Sequence, residues 1–521
     1  MPDTQRRPSS LLLASGLSVL LVLISFMWQG HKGFNVWDEG FLWYGVQRVL
    51  AGETPLLDFM AYDPGRYYWS AALLGAAGDS GSIMGVRASV AVFQAIGLSV
   101  GTMLIAWSTP GQQRGKVLFW LIACASLAVW MFPRHKLFDI SLSMFLLGAL
   151  AALAAAPQPR TYVLAGFAVG LAAVFGRNHG LYGAVGSLAL MGWLRLGVAP
   201  PVSALAGAGL WSAGVIAGFS PIAVMSLGIP GFGAAFLDSV LLLFEQSSTN
   251  LPLPVPWPWT MSFEALPFEH WVRGVLTGLF FIGLLAFGVL AIAAVSIRRA
   301  MRRPVDPVLA ACAFLALPYA HYAFSRADVG HLAHGIYPLL IGCFALLAAA
   351  RPWVRWTLGL ALCSASFWVM YVFHPGWQCQ ASNACVSVDV SGDTLVMDRS
   401  VADDVQLLRE LADRYAPNGE SFLAAPFWPG AYAVLDRKAP VWEIYPLFAR
   451  TQSFERREIE RLAAAAPAFA IIYDHPLDGR EELRYRNTHP LLNDYVSSHF
   501  DRVPYDGNPA YQIYRAKETR P

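Results

Sequence analysis

An acidic pair, Asp38 and Glu39, stands in the stretch WDEGFLWYGVQRVLAGETPLLDFMAYDPGRYYW, shortly after the first apolar run of the chain. A carboxylate there can take a proton from a hydroxyl as a new bond forms. It can equally do no more than favour the N-terminus of the apolar-periodic stretch that follows, since anions suit that end of a helix. A third acid, Asp139, ends the basic run RHKLFD at the head of another apolar run. Snorkelling accounts for Arg134 and Lys136 more readily than for the acid, which capping would explain. FGRNHG (residues 175–180) and FSRADVGHLAHGIYP (residues 324–338) each set an Arg and a His at the end of an apolar run. Arg177, Arg326 and His331, with Lys136 and Arg66, are donors suited to an anionic ligand such as a phosphate. Scattered interfacial ion pairs would use the same residue types without a ligand. The His and acid groups could also bind a divalent ion, although no spacing requires one.

The elements that carry these residues are mostly apolar. The chain has 521 residues, 56% hydrophobic and 14% charged, well below the roughly 25% charged residues of soluble domains. Net charge is +2, which gives no field to hold nucleic acid, and composition this apolar excludes disorder. Aromatics reach 13%, with 18 Trp, as expected where segments cross membrane interfaces. About eleven runs have the length and apolarity of spanning helices: 11–28, 83–107, 117–132, 140–156, 162–175, 181–196, 202–227, 271–297, 307–324, 332–350 and 353–373. The run 162–196 divides at Arg177, Asn178 and His179, which read as a short turn.

Lys and Arg placement sets an expected sidedness. Arg6 and Arg7 precede the first span, and Arg114, Lys116, Arg160, Arg195, the cluster Arg298–Arg303, Arg351 and Arg355 fall on the same side. The N-terminus is then cytoplasmic and the C-terminus outside, with the first span a retained anchor because no small-x-small cleavage motif follows it. Residues 29–82 and 228–270 and everything after His374 face outward. Arg177, His179, Arg326 and His331 therefore run against the positive-inside trend. Residues 228–270 include the run Pro252–Trp259, rich in Pro and Trp, which favours extended backbone and could cover a cavity or simply connect.

Past Phe373 the composition becomes ordinary. Residues 401–415 and 454–465 read as helices, and 421–425, 468–473 and 511–514 as strands. The chain thus divides into a membrane domain, residues 1–373, and a small α/β domain, residues 374–521. Four cysteines fall inside spans and read as packing residues. Cys379 and Cys385, in CQASNAC, would close a short disulfide loop in an oxidising compartment, with free thiols the alternative. GxGxxG, GxxxxGK[ST], CxxC and HExxH patterns are absent, and the GxSxG at residues 97–101 lies inside the apolar run 83–107 rather than at a strand-to-helix elbow, so nothing speaks for a nucleotide cradle, a zinc protease or a serine hydrolase.

Taken together, the acidic pair after the first span, about a dozen spans and an outer α/β tail resemble the GT-C superfamily of membrane glycosyltransferases. The nearest pattern is that of the bacterial protein O-mannosyltransferase and aminoarabinose–lipid A transferase group. It is carried by the loop quoted above, with two surface helices expected in it, and by SFLAAPFWPGAYAVLDRKAP, PAFAIIYD and YQIYRAK in the tail. The resemblance implies a polytopic α-helical GT-C protein with an extracytoplasmic α/β domain. Its expected activity is an inverting sugar transfer from a polyprenyl-phosphate carrier to a lipid, glycan or protein acceptor. It makes Asp38 the base, with Glu39 beside it and Asp139 the second acid, and sets Arg326 and His331 near the carrier phosphate, joined by Arg66, Lys136 and Arg177. RADVGH replaces an Arg-Tyr pair followed by Pro found in many relatives. Two other readings compete. A transporter of lipid-linked saccharides would show related halves and broken helices, and an envelope subunit would use its acids only as caps.

Overall fold

The computed structural model describes residues 8–111, 113–197, 200–245, 250–381 and 384–517. Arg6 and Arg7, used above for sidedness, lie outside the described residues, as do Ser382 and Asn383 within CQASNAC. The described chain packs as two compact units. A helical unit comprises Met1–Gln29, Val90–Pro230 and Ser247–Gln378, and an α/β unit comprises Gly30–Ser89, Gly231–Gln246 and Cys379–Pro521.

Each of the apolar runs is helical. Among the described residues, seven helices are long and apolar enough to cross a membrane: Pro8–Gln29, Ile83–Ser108, Arg134–Ala155, Ala204–Gly228, Phe268–Ala300, Pro307–Ser325 and Pro352–Phe373. Val329–Gly335 and Tyr337–Ala348, bent by 55° at their junction, make an eighth if taken as one broken span. Of the other expected spans, Lys116–Val129 and Pro159–Phe175 are shorter apolar helices, with 14 and 17 residues, so the full count of about eleven is not established. Arg177–Trp193 likewise has 17 and opens with polar residues. Within residues 228–270 the chain also forms an apolar helix, Phe232–Glu245, ahead of the Pro- and Trp-rich stretch.

Backbone-to-backbone packing marks the helical unit. Gly166 and Gly170 on Pro159–Phe175 face Gly214 and Gly218 on Ala204–Gly228, and a methyl at any of the four would overlap the facing helix. Both pairs are Gly-x-x-x-Gly, the spacing that lets helices approach closely where lipid offers no hydrophobic drive.

In the α/β unit, two helices follow the first span. Asp38–Leu50 opens with Asp38 and Glu39 and closes with Arg48, matching the helix dipole at both ends. Gly65–Ala77 follows Pro64 and stops at Gly78, whose φ of +73° suits glycine. After the disulfide between Cys379 and Cys385, strands β1 (Cys385–Val390) and β2 (Asp393–Asp398) form a hairpin. Ser391 and Gly392 turn it with φ of 52° and 88°, the left-handed pair that a two-residue hairpin needs. Strands β3 (Phe422–Ala425), β4 (Phe469–Tyr473), β5 (Phe500–Val503) and β6 (Tyr511–Ala516) make a sheet of order β3-β4-β6-β5, with β3 and β4 parallel and the rest antiparallel. Helices Arg399–Tyr415 and Gln452–Ala465 accompany it. Its core gathers Leu423, Leu462, Ile472, Tyr485, Val496 and Phe500.

The loop after the first span belongs to this same unit. His31 and Gly33 pair with Val396 of β2, and Met60 donates to the Trp442 carbonyl at 2.9 Å. Gly40 meets Gly430 so closely that a Cβ on either would collide with main chain, so helix Asp38–Leu50 is seated on the C-terminal fold without a side chain between.

Candidate functional site

In the α/β unit, Asp38 occupies the first turn of Asp38–Leu50, half-buried, with its backbone N–H donating to Asn35 Oδ1 at 2.9 Å. Glu39 points the other way and is 7% exposed. Arg87, near the start of Ile83–Ser108, donates from Nε to Glu39 Oε1 at 2.8 Å and from Nη2 to Glu39 Oε2 at 2.9 Å. The same guanidinium donates to the carbonyls of Gly30 at 2.8 Å and Gly33 at 2.7 Å. One buried cation therefore ties the loop entering the helix to the helix's first turn. The adjacent acids divide: Glu39 is fixed in a fork-to-fork ion pair, and Asp38 beside it is held in place by that anchor. Arg66, on Gly65–Ala77, is buried and lies over the Tyr62 ring at 5.0 Å.

In the helical unit, Asp139 lies in the first turn of Leu137–Ala155 and is 5% exposed. His179 Nε2 is 3.2 Å from Asp139 Oδ1, an ion-pair distance whose angle falls short of a hydrogen bond. The other ring nitrogen, Nδ1, meets the Tyr319 hydroxyl at 2.9 Å. Gly176 makes this possible. Extended at φ −167°, it separates Pro159–Phe175 from Arg177–Trp193, and Gly180 then packs against Ala173, so His179 is carried into the bundle. A carboxylate, an imidazole and a phenol thus stand in series among apolar helices. Tyr182 packs its ring 5.5 Å from that of Tyr319, and its hydroxyl lies 3.1 Å from His321 Nδ1.

Asp328 gathers a second group. It caps Val329–Gly335 by accepting from the His331 N–H at 2.8 Å, and its Oδ1 also lies 2.9 Å from His331 Nδ1. Arg326 Nε donates to its Oδ2 at 2.9 Å, and Arg326 Nη1 to the Leu251 carbonyl at 3.0 Å. Burial works to raise the Asp328 carboxyl. The hydrogen bonds and charge from His331, with the Arg326 guanidinium, outweigh it and hold the group below the usual carboxylate range. The His331 ring stacks on Tyr322 at 5.7 Å, and Tyr322 in turn lies 5.7 Å from His179 and 5.1 Å from His334. His334 is 1% exposed, and neither ring nitrogen has a hydrogen-bond partner among the described residues. Lys136 caps Leu137–Ala155 and Arg177 opens its own helix.

Of the residues singled out from sequence, Asp38, Glu39 and Arg66 thus belong to the α/β unit. Asp139, Lys136, Arg177, Arg326 and His331 belong to the helical unit, where Arg326 and His331 meet on Asp328. His179, Tyr319, Tyr322, His334, Asp328 and Arg87 were not chosen from sequence. The signal for His179 and Asp328 was present in the motifs already marked, whereas nothing local pointed to the tyrosines or Arg87. Among the described residues no group of three or more His, Cys, Asp or Glu could hold a metal ion.

No protein-family model matches the chain, and no curated protein matches it. Its fold is nevertheless found among solved structures. ArnT from Cupriavidus metallidurans bound to undecaprenyl phosphate aligns over 96% of this chain and 97% of its own, with TM-score 0.53 and 14% identity. The oligosaccharyltransferase AglB from Archaeoglobus fulgidus, in complex with an inhibitory peptide and a dolichol-phosphate, aligns over 98% of this chain and 74% of its own, with TM-score 0.46 and 13% identity. The fold is of the GT-C type that the sequence resembles.

Proposed function

We propose that this chain is an inverting glycosyltransferase that moves a sugar from a polyprenyl-phosphate carrier to an acceptor on the outer face of a cytoplasmic membrane. The observation that carries the reading is the division of the acidic pair: Glu39 is locked by Arg87, and Asp38 is held beside it at the head of a rigid helix. The GT-C fold and the undecaprenyl phosphate bound by ArnT support the choice of donor.

In this reading the acceptor oxygen attacks the anomeric carbon from the face opposite the phosphate. The new C–O bond forms as the C–O bond to phosphate breaks, and the hydroxyl proton passes to the Asp38 carboxylate. A carboxylate is too weak a base to deprotonate an alcohol beforehand and assists as the bond forms, a contribution of about 10²–10⁴ in rate. The departing carrier phosphate is matched by positive charge, a role assigned to Arg326, His331, Lys136, Arg177 and Arg66. Asp139 is assigned as the second acid, with the His179 ring beside it. The acceptor is a lipid, glycan or protein. The N-terminus is assigned to the cytoplasm and the α/β unit to the outside.

The deciding experiment measures transfer from a panel of polyprenyl-phosphate sugars in membranes, wild type against Asp38→Asn at matched expression. A product lost only in the variant supports the reaction and the base, and equal product in both refutes Asp38 as the base. The broken pair Val329–Gly335 and Tyr337–Ala348 favours a second reading, transport of a lipid-linked saccharide. Movement of labelled lipid across vesicles by both proteins, with no new glycosidic bond, would establish it instead.

A further inference from the structure

A strip of aromatic rings runs across the α/β unit from the residue before Asp38. Trp37 lies against Phe427 with centroids 5.4 Å apart, Phe427 against Tyr473 at 5.7 Å, and Tyr473 against Tyr511 at 5.2 Å. His475 stacks on Tyr473 at 5.5 Å, and Tyr505 on Tyr511 at 6.5 Å. Tyr473 and Tyr511 are register partners on β4 and β6, so the sheet itself fixes the spacing of the strip. Phe427 is buried and anchors it, while Trp37 and Tyr505 are each 38% exposed and His475 is exposed.

Polar groups border the rings. The Tyr511 hydroxyl donates to Asp404 Oδ1 at 2.7 Å, and Gln512 Nε2 donates to Asp474 Oδ2 at 2.9 Å. The charges acting on Tyr505 are those of Asp404, Glu410 and Asp403. Rigid rings with acceptors at their edges are surfaces for a flat ligand that is apolar on its faces and hydroxylated at its rim. A pyranose ring has that form. Asp474 is ion-paired with Arg484 and Arg486, so the acids that work against anionic occupants are Asp403, Asp404 and Glu410, and a bilayer surface with anionic headgroups attracts Lys and Arg rather than carboxylates.

We propose that this strip, Trp37–Tyr473–Tyr511 with His475 and Tyr505, binds a glycan chain that is neutral or carries amines. It deepens the function proposed above, since it makes the acceptor a glycan lying beside the base, and to that extent rests on it. Stacking would hold successive sugar rings on the aromatic faces while Asp404 accepts from their hydroxyls.

Saturation-transfer NMR on the full chain in detergent tests it, with cellotetraose, the glucosamine tetramer and a galacturonate tetramer as probes. Expected is saturation of the ring C–H protons of the first two and none of the third. Trp37→Ala, or Tyr505→Ala with His475→Ala, should weaken the bound probe at least about tenfold; these side chains are exposed, so the fold survives the change. Saturation of the galacturonate alone, of no probe, or equally in the variants overturns the proposal. So does quenching of Trp37 by spin-labelled lipid without any glycan signal. Binding is read separately from turnover: a bound glycan with no transfer by wild type would remove the function and leave the site, and transfer to a glycan that the strip variants bind as wild type would remove the site and leave the function.

Discussion

Replacing Arg87 with methionine keeps the stem of the side chain and removes the guanidinium that holds Glu39, Gly30 and Gly33. The Arg87 and Glu39 side chains are 2% and 9% exposed, so little water can take over. Breaking one side of a buried pair costs about 3–5 kcal/mol, because the remaining charge is left unpaired. The loop before Asp38 then detaches from the helix's first turn. A displacement of about 1 Å at a reacting group lowers rate by about 10²-fold. Arg87→Met should therefore melt several degrees below wild type and transfer sugar about a hundredfold more slowly. Arg87→Lys should fall between, because an ammonium cannot bridge both carboxylate oxygens and two carbonyls. Removing both partners, Arg87→Met with Glu39→Leu, should recover part of the stability, since no charge is then left unpaired and only the Gly30 and Gly33 carbonyls lose their donor. Thermal melting and initial transfer rates of wild type, Arg87→Met, Glu39→Leu and the double variant close a double-mutant cycle. Melting and rates unchanged in Arg87→Met, or a double variant that loses the sum of the two single losses, would refute the reasoning.

Asp139→Asn keeps the shape of the side chain but removes the charge facing His179, and should lower the transfer rate by about 10²-fold or more at unchanged expression, read as kcat. Reducing the Cys379–Cys385 bond, whose partners are 6 residues apart, should cost about 2 kcal/mol of stability in the chain-entropy view, visible as a lower melting temperature that Cys379→Ser with Cys385→Ser reproduces without reductant. Burial, with Asp403 nearby, pushes the Asp404 carboxyl up to about 6 against the hydrogen bond from Tyr511. Its folded pKa lies above the unfolded value, so its contribution to stability is full below about pH 4 and is lost as pH rises through about 6. After solvent screening this is of order 1 kcal/mol, and melting of Asp404→Asn should be flatter across that window.

Periodicity made the apolar helices legible, along with the stretch after Asp38 and the strands at residues 422–425 and 469–473, because each repeats one residue class at its own period, whereas Gly65–Ala77 was expected only from the resemblance. The span count was less legible, since apolarity shows where a helix lies and not whether 14 residues suffice to cross. Strand β5, Phe500–Val503, is short and carries Asp501 and Arg502, so no alternation announces it. Hairpin β1–β2 did carry a signal, Ser391-Gly392 between alternating residues, that went unread. Among site residues, acids at helix heads stood out from their surroundings. Their partners did not: Glu39 and Arg87 are 48 residues apart, and Tyr319 is 140 from His179, with only the fold to join them. An arginine at the start of an apolar helix looks like any snorkelling arginine until its carboxylate is seen.

The seating of helix Asp38–Leu50 on the C-terminal fold bears on how the protein is made. Leu56 accepts from Trp442, 386 residues further on. At about 5–20 residues per second a ribosome takes roughly 20–80 s to cover that distance. For all of that time the segment bearing Asp38 has been synthesised while the surface that receives Gly40 does not exist. Biogenesis is thus ordered: the apolar helices accumulate one by one, and the loop bearing Asp38 is completed only after Gly430 and Trp442 have been made. A premature stop in the final hundred residues would leave an inserted bundle with an unsupported Asp38, so quality control that inspects the tail would also be inspecting the proposed base.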